Sequence, residues 1–270
     1  MPQVVVKGVP AWVPHLRLLG PGDWTETDEG WTAALSREAA ADLSARLRNL
    51  GMDGAPFDVR VTPALKRKVV RDARSVDARR RRDTSPGFTR PDARLDDEGR
   101  WSLTPEKLAF ALGQRAPTTV VDATCGAGGN AIGFARAGTR VVAIEKDRHR
   151  AELARHNARV YGVADKVDVR VGDAAELLAD IDAELCFVDP PWEGYDAVRC
   201  ELQHLTVLSH ILPATERFEQ VWLKLPPSFV TADLPGFMPR AWFGHAKGDK
   251  RRVKFLLLAR PDQPASPRRS

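Results

Sequence analysis

The chain has 270 residues, 43% hydrophobic and 29% charged, the balance of a globular α/β protein with an appendage rather than of a disordered segment. No window approaches the ~18 consecutive apolar residues of a membrane span, and the start, Met1 to Gly8, lacks the charged-then-apolar pattern of a secretory signal. Cys125, Cys186 and Cys200 form no CxxC pair, which argues against a disulfide framework or a structural zinc and for a reducing, cytoplasmic setting.

The net charge of +5 is unevenly spread. Residues 1–100 hold 18 Lys/Arg against 15 Asp/Glu and residues 240–270 hold 9 against 2, so the middle is acidic. Basic ends suit a polyanionic partner, although solvated surface charge accounts for the same distribution.

In chain order, the first ~60 residues read as a small separate unit, with Trp12, Trp24 and Trp31 among Gly, Pro and acids. Ser36 is placed to cap a helix with Leu35, Ala39, Leu43, Leu47 and Leu50 on one face, stopping at Gly51. After Pro63 a second helix is expected over 66–82, with nine Lys/Arg against Asp72 and Asp77. Such a face releases counterions on meeting a phosphate backbone, and equally stands as a solvated helix or arm. Residues 83–100 read as a linker. Thr104-Pro105-Glu106 predicts a helix start with a capping hydroxyl. Apolar, β-branched runs then alternate with helical stretches at 119–122, 141–145, 167–171, 185–189, 221–225 and 253–259. That alternation implies crossovers and a mostly parallel sheet covered on both faces. Lys247 to Lys250 reads as a hairpin turn, so the sheet is expected to end in an antiparallel pair. The organisation predicted is an accessory, partly helical basic region over 1–95, a main domain over 96–260 and a basic flexible tail over 261–270.

The chemistry concentrates at strand ends. Asp122-Ala-Thr-Cys-Gly-Ala-Gly-Gly-Asn130 joins a strand to a helix, with glycines where a backbone must turn tightly and approach a ligand. Glu145 ends the next strand, where a carboxylate can hold both ribose hydroxyls, and Gly172-Asp173-Ala174 ends the third, where one can meet an adenine amino group. The loop is not GxGxxG, and Asp122 repels a pyrophosphate but attracts an ammonium, so a cationic adenosine compound, S-adenosylmethionine, fits best. The fourth strand runs into Asp189-Pro-Pro-Trp192. In a doubly wound sheet the first and fourth strands flank the switch point, so Asp189 and the glycine loop share one crevice. There Asp189 can accept a hydrogen bond from a ring-attached amine, two prolines stiffen the loop, and Trp192 offers a stacking face. An ordinary turn with a half-buried Trp is the bland alternative.

From about Trp101 to Ala259 these strings resemble the class I S-adenosylmethionine-dependent methyltransferases. More narrowly, they are similar to the RNA cap guanine-N2 methyltransferase family, that of trimethylguanosine synthase. The likeness is carried by Ser102-Leu-Thr-Pro-Glu106, the Asp122–Asn130 loop, Val142-Ala-Ile-Glu145, His156-Asn-Ala-Arg-Val-Tyr-Gly-Val163, Gly172-Asp173 and Pro190-Pro-Trp192. It implies a Rossmann-like doubly wound sheet, mostly parallel with the last strand antiparallel, and methyl transfer to an exocyclic amine, most simply guanine N2 of RNA. By that likeness Asp122 and Glu145 hold the methionine and ribose parts, Asp173 the adenine, and Trp192 the guanine. The candidate cofactor residues are thus Thr104, Asp122, Cys125, Gly126, Gly128, Asn130, Glu145, Lys146, Asp173, Ala174 and Asp189. Asp189, Pro190 and Trp192 are the catalytic candidates, and Trp192, Tyr195, Lys66, Arg71 and Arg74 the substrate contacts, with RNA the expected partner, no metal and no membrane. Two departures stand out: the family commonly has Ser where Asp189 stands, and Gly-Gly-Pro where Glu193-Gly194-Tyr195 follows the Trp. Asp-Pro-Pro-aromatic is closer to adenine-N6 and ribosomal guanine-N2 enzymes, so adenine N6, a protein glutamine amide and an inactive nucleic-acid-binding protein remain alternatives.

Other residues carry weaker signals. His156 reads as a local structural residue, Cys125 as packing rather than a nucleophile, and His204, His210 and His245 lack metal spacing. Lys224-Leu-Pro-Pro-Ser228 ends the fifth strand and can wall an acceptor pocket or simply pack.

Overall fold

A computed structural model describes residues 1–260; the basic tail expected over 261–270 lies outside the described residues. The accessory region opens with β1 (Gln3–Lys7), α1 (His15–Leu19), β2 (Thr25–Thr27), β3 (Gly30–Ala34) and α2 (Arg37–Leu47). It continues with β4 (Gly51–Met52), β5 (Ala55–Pro56), β6 (Asp58–Thr62) and α3 (Arg67–Arg80). Ser36 caps α2 as expected, its hydroxyl accepting from the Ala39 N–H at 3.1 Å. Ala39 itself is exposed, however, and Ala40 and Ala41 are buried instead. To the two expected helices the structure adds an antiparallel sheet of order β2-β3-β1-β6. Its Val4 and Val6 point inward at strand period and meet Leu43 and Leu47 of α2.

The main domain comprises α4 (Gly99–Ser102), α5 (Glu106–Gly113), β7 (Thr119–Asp122), α6 (Gly129–Arg136), β8 (Arg140–Glu145), α7 (Arg148–Val160) and β9 (Val167–Val171). It is completed by α8 (Ala174–Leu177), β10 (Leu185–Val188), α9 (Thr206–Ile211), β11 (Gln220–Leu225), β12 (Met238–Phe243) and β13 (Val253–Arg260). The seven-stranded sheet has the order β12-β13-β11-β10-β7-β8-β9. β9, β8, β7, β10 and β11 run parallel, and β13 and β12 close the sheet antiparallel. From β7 the chain winds to one side through β8 and β9, then returns to the other side at β10. That places the switch point between β7 and β10. α5, α6 and α7 cover one face, and α8, α9 and the turns after them cover the other. No described helix is long and apolar enough to cross a membrane.

Three readings need correction. Pro105, not Thr104, precedes α5, and Thr104 makes no cap hydrogen bond. The segment expected as a linker over 83–100 is a strap packed along the domain. Ser85 binds the fully buried Asp249 through N–H (2.7 Å) and Oγ (2.9 Å), Thr89 binds Glu106, and Arg94 exchanges backbone bonds with Asn157. β12 was missed, and its Pro239 is tolerated because β12 is an edge strand.

The accessory region is not separate from the main domain. Its cluster takes in Phe243 and packs against Ala241 and Val253 of the terminal strand pair. The β4–β5 hairpin meets the loops after β10 and β11. Gly51 donates to Ala197 O at 2.8 Å, and Asp53 accepts from Thr231 N–H and Oγ at 2.7 and 2.8 Å.

Candidate functional site

β7 and β10 are parallel neighbours with Asp122 opposite Phe187, so the glycine loop and Asp189 emerge together at the carboxyl edge. The Asp189 N–H donates to Thr124 Oγ at 2.9 Å, which ties the β10 tip to the loop. Its Oδ2 accepts from Lys224 Nζ at 2.6 Å, from Asn130 Nδ2 at 2.9 Å and, more weakly, from Thr104 Oγ at 3.5 Å. Thr104 is held there by Leu103, whose side chain packs where a Cβ on Gly129 would lie. Lys224 is 4% exposed, on the buried strand β11, and its ammonium lies 5.2 Å from the Trp192 ring centroid. It is the crevice residue least apparent from the sequence. The available signal was a lone lysine inside the apolar run Val-Trp-Leu-Lys-Leu of a central strand, where an unpaired charge is not tolerated.

Asp122 is fully buried, its Oδ2 has no partner among the described residues, and Oδ1 accepts only a long 3.4 Å bond from Thr124 N–H. Burial, then the neighbouring Asp189 charge, push its carboxyl up to about 8. Asn130 Oδ1 is likewise buried and unpartnered. Gly126 adopts φ +54°, and a Cβ there would meet nothing within 4 Å, so the space above the loop is open. Gly128, at φ +91°, brings the backbone within reach of α7: a Cβ would sit 3.2 Å from Ala154 Cα. Glu145 borders the open space, its Oε2 accepting from Gly126 N–H at 2.8 Å and its Oε1 from Asp147 N–H at 2.9 Å. Each oxygen retains a lone pair for a hydroxyl. Cys125 is buried, and burial with the nearby Asp122 and Glu145 charges raises its thiol well above the usual range, so no thiolate nucleophile is available.

Asp173 turns its carboxylate to local work. It caps α8 through Ala175 N–H at 2.9 Å and meets Lys146 at 3.1 Å and His210 at 3.1 Å. Burial favours the neutral acid, but these partners outweigh it and hold Asp173 below the usual range. Ala174 is buried behind it, and Lys146 is largely exposed. Pro190 is buried, and Trp192 is half-buried against the main core with its Nε1 buried and without a partner among the described residues. Tyr195 is half-exposed, its ring 6.0 Å from that of Trp192. His156 binds the strap carbonyl of Asp92 at 2.9 Å, and Asn157 joins the strap to Ala127 O of the glycine loop at 2.9 Å. Lys66, Arg71 and Arg74 are exposed on the accessory unit and are not brought into the crevice. Among the described residues no His/Cys/Asp/Glu group is arranged to hold a metal.

The groups around the crevice fit S-adenosylmethionine. The crevice is built of acceptors, with Asp122 Oδ2, Asn130 Oδ1 and the Glu145 oxygens around open space over Gly126. It suits a ligand bearing an ammonium and hydroxyls, and it disfavours a polyphosphate.

Sheet order and site together define the class I methyltransferase fold. Residues 117–221 match the family model described as RNA cap guanine-N2 methyltransferase. The chain is 33% identical over 111 residues to trimethylguanosine synthase of Schizosaccharomyces pombe, covering 37% of this chain and 46% of that protein. It is 34% identical over 119 residues to a protein of Gloeobacter violaceus described as an uncharacterized RNA methyltransferase, covering 44% of this chain and 24% of that protein. The crystal structure of TrmN from Thermus thermophilus aligns at 25% identity and TM-score 0.44, covering 61% of this chain and 50% of that one. The chain thus spans about half or less of the length of these curated relatives.

Proposed function

We propose that the chain transfers a methyl group from S-adenosylmethionine to an exocyclic amine, guanine N2 of RNA. The observation that carries this reading is the state of Asp189. Three donors hold its Oδ2, while Oδ1 has no hydrogen-bond partner among the described residues, beside an aromatic face and the glycine loop. The Asp-Pro-Pro-Trp string and the domain match over 117–221 support the same assignment.

In this reading Asp122 and Asn130 receive the amino-acid end of the cofactor, Glu145 the ribose, and the region of Lys146, Asp173 and Ala174 the adenine. Bound S-adenosylmethionine supplies a methyl on a sulfonium, a leaving group that needs no proton. Lys224 fixes the Asp189 rotamer. Oδ1 then accepts one N–H of the target amine, which orients the nitrogen lone pair, and afterwards takes the proton that the methylated nitrogen sheds. Pro190 and Pro191 limit the loop's freedom, and Trp192, with Tyr195 at its rim, stacks on the base. Much of the rate comes from alignment of the amine with the methyl. The target base must be unpaired or flipped out to reach Trp192. Lys66, Arg71 and Arg74 on α3 would contact phosphates away from the crevice. We place residues 1–95 as an accessory region to the 96–260 domain. The three buried free cysteines suit a reducing, cytoplasmic setting.

Transfer from labelled cofactor to total RNA, DNA and protein, followed by nucleoside analysis, tests the assignment. Label in N2-methylguanosine is expected. Label in N6-methyladenosine would move the acceptor to adenine, the second reading that Asp189 in place of Ser favours, and no label anywhere would leave a binding protein. Trp192→Ala should lower kcat/KM about ten- to hundredfold, the worth of one stacked base. Trp192→Phe should recover most of it, and affinity for S-adenosylhomocysteine should hold. Equal loss of both would make Trp192 structural.

A further inference from the structure

A second concave surface lies on the same edge of the sheet. β13 runs antiparallel to β11, so the 244–252 hairpin projects from the carboxyl edge that carries Asp189. Between that hairpin and α1 is a cleft of about 430 Å³ lined by Arg17, His245, Lys250 and Arg251, with Leu16 and Pro21 beside them and no acidic side chain. We propose that this cleft seats internucleotide phosphates of RNA, extending the acceptor site beyond the crevice; the proposal rests on the reading of RNA as the acceptor.

Two of its cations are held in place. The Arg17 guanidinium lies 4.6 Å over the Phe243 ring, and Arg251 is wedged where a Cβ on Gly20 would come within 3.0 Å of its Nη1. A cation already ordered loses less side-chain entropy on binding an anion than a free arginine on a convex helix such as α3.

The surrounding acids are already committed. Asp42 pairs with Arg46 and Arg80, Asp77 with Arg81 and Arg252, and Asp249 with Ser85 and Lys254. Arg17, Lys250 and Arg251 form no ion pair among the described residues.

The test is fluorescence anisotropy of a single-stranded RNA oligonucleotide across a salt series, with the full chain. Replacing Arg17, Lys250 and Arg251 together by alanine should reduce the slope of log K against log salt by about 2, since each phosphate contact on a single strand contributes about 0.7. Lys250→Glu, at an exposed position whose side chain makes no hydrogen bond or ion pair among the described residues, should weaken binding without any change in thermal stability. An unchanged slope in the triple variant with Lys250→Glu binding as wild type would overturn the proposal. So would polyglutamate competing as well as a second RNA strand, which would assign the cleft to an acidic protein. Wild type that binds no RNA would overturn both this inference and the RNA assignment. Because anisotropy needs no cofactor, absence of methyl transfer would fall on the enzymatic reading alone.

Discussion

At the scale of single residues, Lys224 and Asp189 form a unit whose members cannot be judged apart. Lys224 is buried and the Asp189 side chain is 12% exposed, so deleting one leaves the other's charge largely shielded from water. Breaking such a pair typically costs about 3–5 kcal/mol. Lys224→Met should lower stability by roughly that amount, whereas Lys224→Met combined with Asp189→Asn should regain most of it in denaturant unfolding while methyl transfer stays lost. If the double variant were no more stable than the single, the pair would not be coupled. Asp122 carries a pH signature. Its carboxyl, raised to about 8, keeps its proton in the folded chain over the range in which the unfolded chain, at an ordinary 3.8, has lost it. Stability from this group therefore declines as pH rises from about 4 towards 8. An ammonium brought beside it favours the ionised form, so ligand binding expels a proton below pH 8. Affinity for S-adenosylhomocysteine should accordingly rise between pH 6 and 8 and level off, and Asp122→Asn should flatten the curve. Calorimetry in buffers of different ionisation enthalpy would read the proton directly; no release at pH 6.5 would place Asp122 away from the ligand's amine.

At the scale of elements, what was legible in the sequence follows locality. β7 and β10 could be read because each is a short apolar run that stops at Asp, Gly or Pro, and the pairing of their tips follows from the rule for doubly wound sheets. The accessory sheet could not, because β2 is wholly exposed, β6 mixes half-buried with exposed residues, and neither alternates cleanly. The Lys224–Asp189 pair spans 35 positions and leaves no local pattern at all. The strap shows the same limit, since Ser, Pro, Gly and Thr spell a linker wherever partners elsewhere in the chain are invisible. Its anchor is Glu106, which accepts from Thr89 N–H at 2.8 Å, Thr89 Oγ at 2.7 Å and Tyr161 OH at 2.7 Å, and pairs with Arg136 at 2.5 Å. Although burial opposes it, these partners bring Glu106 down to about 2, so the anchor is present above pH ~4.5 and is lost as the pH falls towards 2. Glu106→Gln should cost on the order of 2 kcal/mol and open residues 84–98 to trypsin at Arg90 and Arg94. Unchanged cleavage there would mean that the strap is held by its other contacts.

At the scale of the molecule, the N-terminal region and the 193–200 loop are mechanically one structure. The β4–β5 hairpin touches the 193–200 loop through Gly51 and Ala197, and the loop after β11 through Asp53 and Thr231. Trp192 opens the first of these loops and Lys224 lies just before the second, so the hairpin braces both walls of the crevice from outside. Removing the accessory region would also uncover Phe243, and for that reason a truncation cannot separate phosphate contact from lost packing. A single contact can. Asp53 sits at φ +52°, a conformation glycine adopts without strain, so Asp53→Gly removes the two bonds to Thr231 while leaving the local backbone free to keep its course. If bracing matters, acceptor KM should rise several-fold and kcat fall, with affinity for S-adenosylhomocysteine unchanged, because the glycine loop and Glu145 are anchored to the sheet and the strap instead. Equal weakening of cofactor and acceptor would indicate a general loosening of the fold. Unchanged kinetics would show that the loops hold their shape without the accessory hairpin.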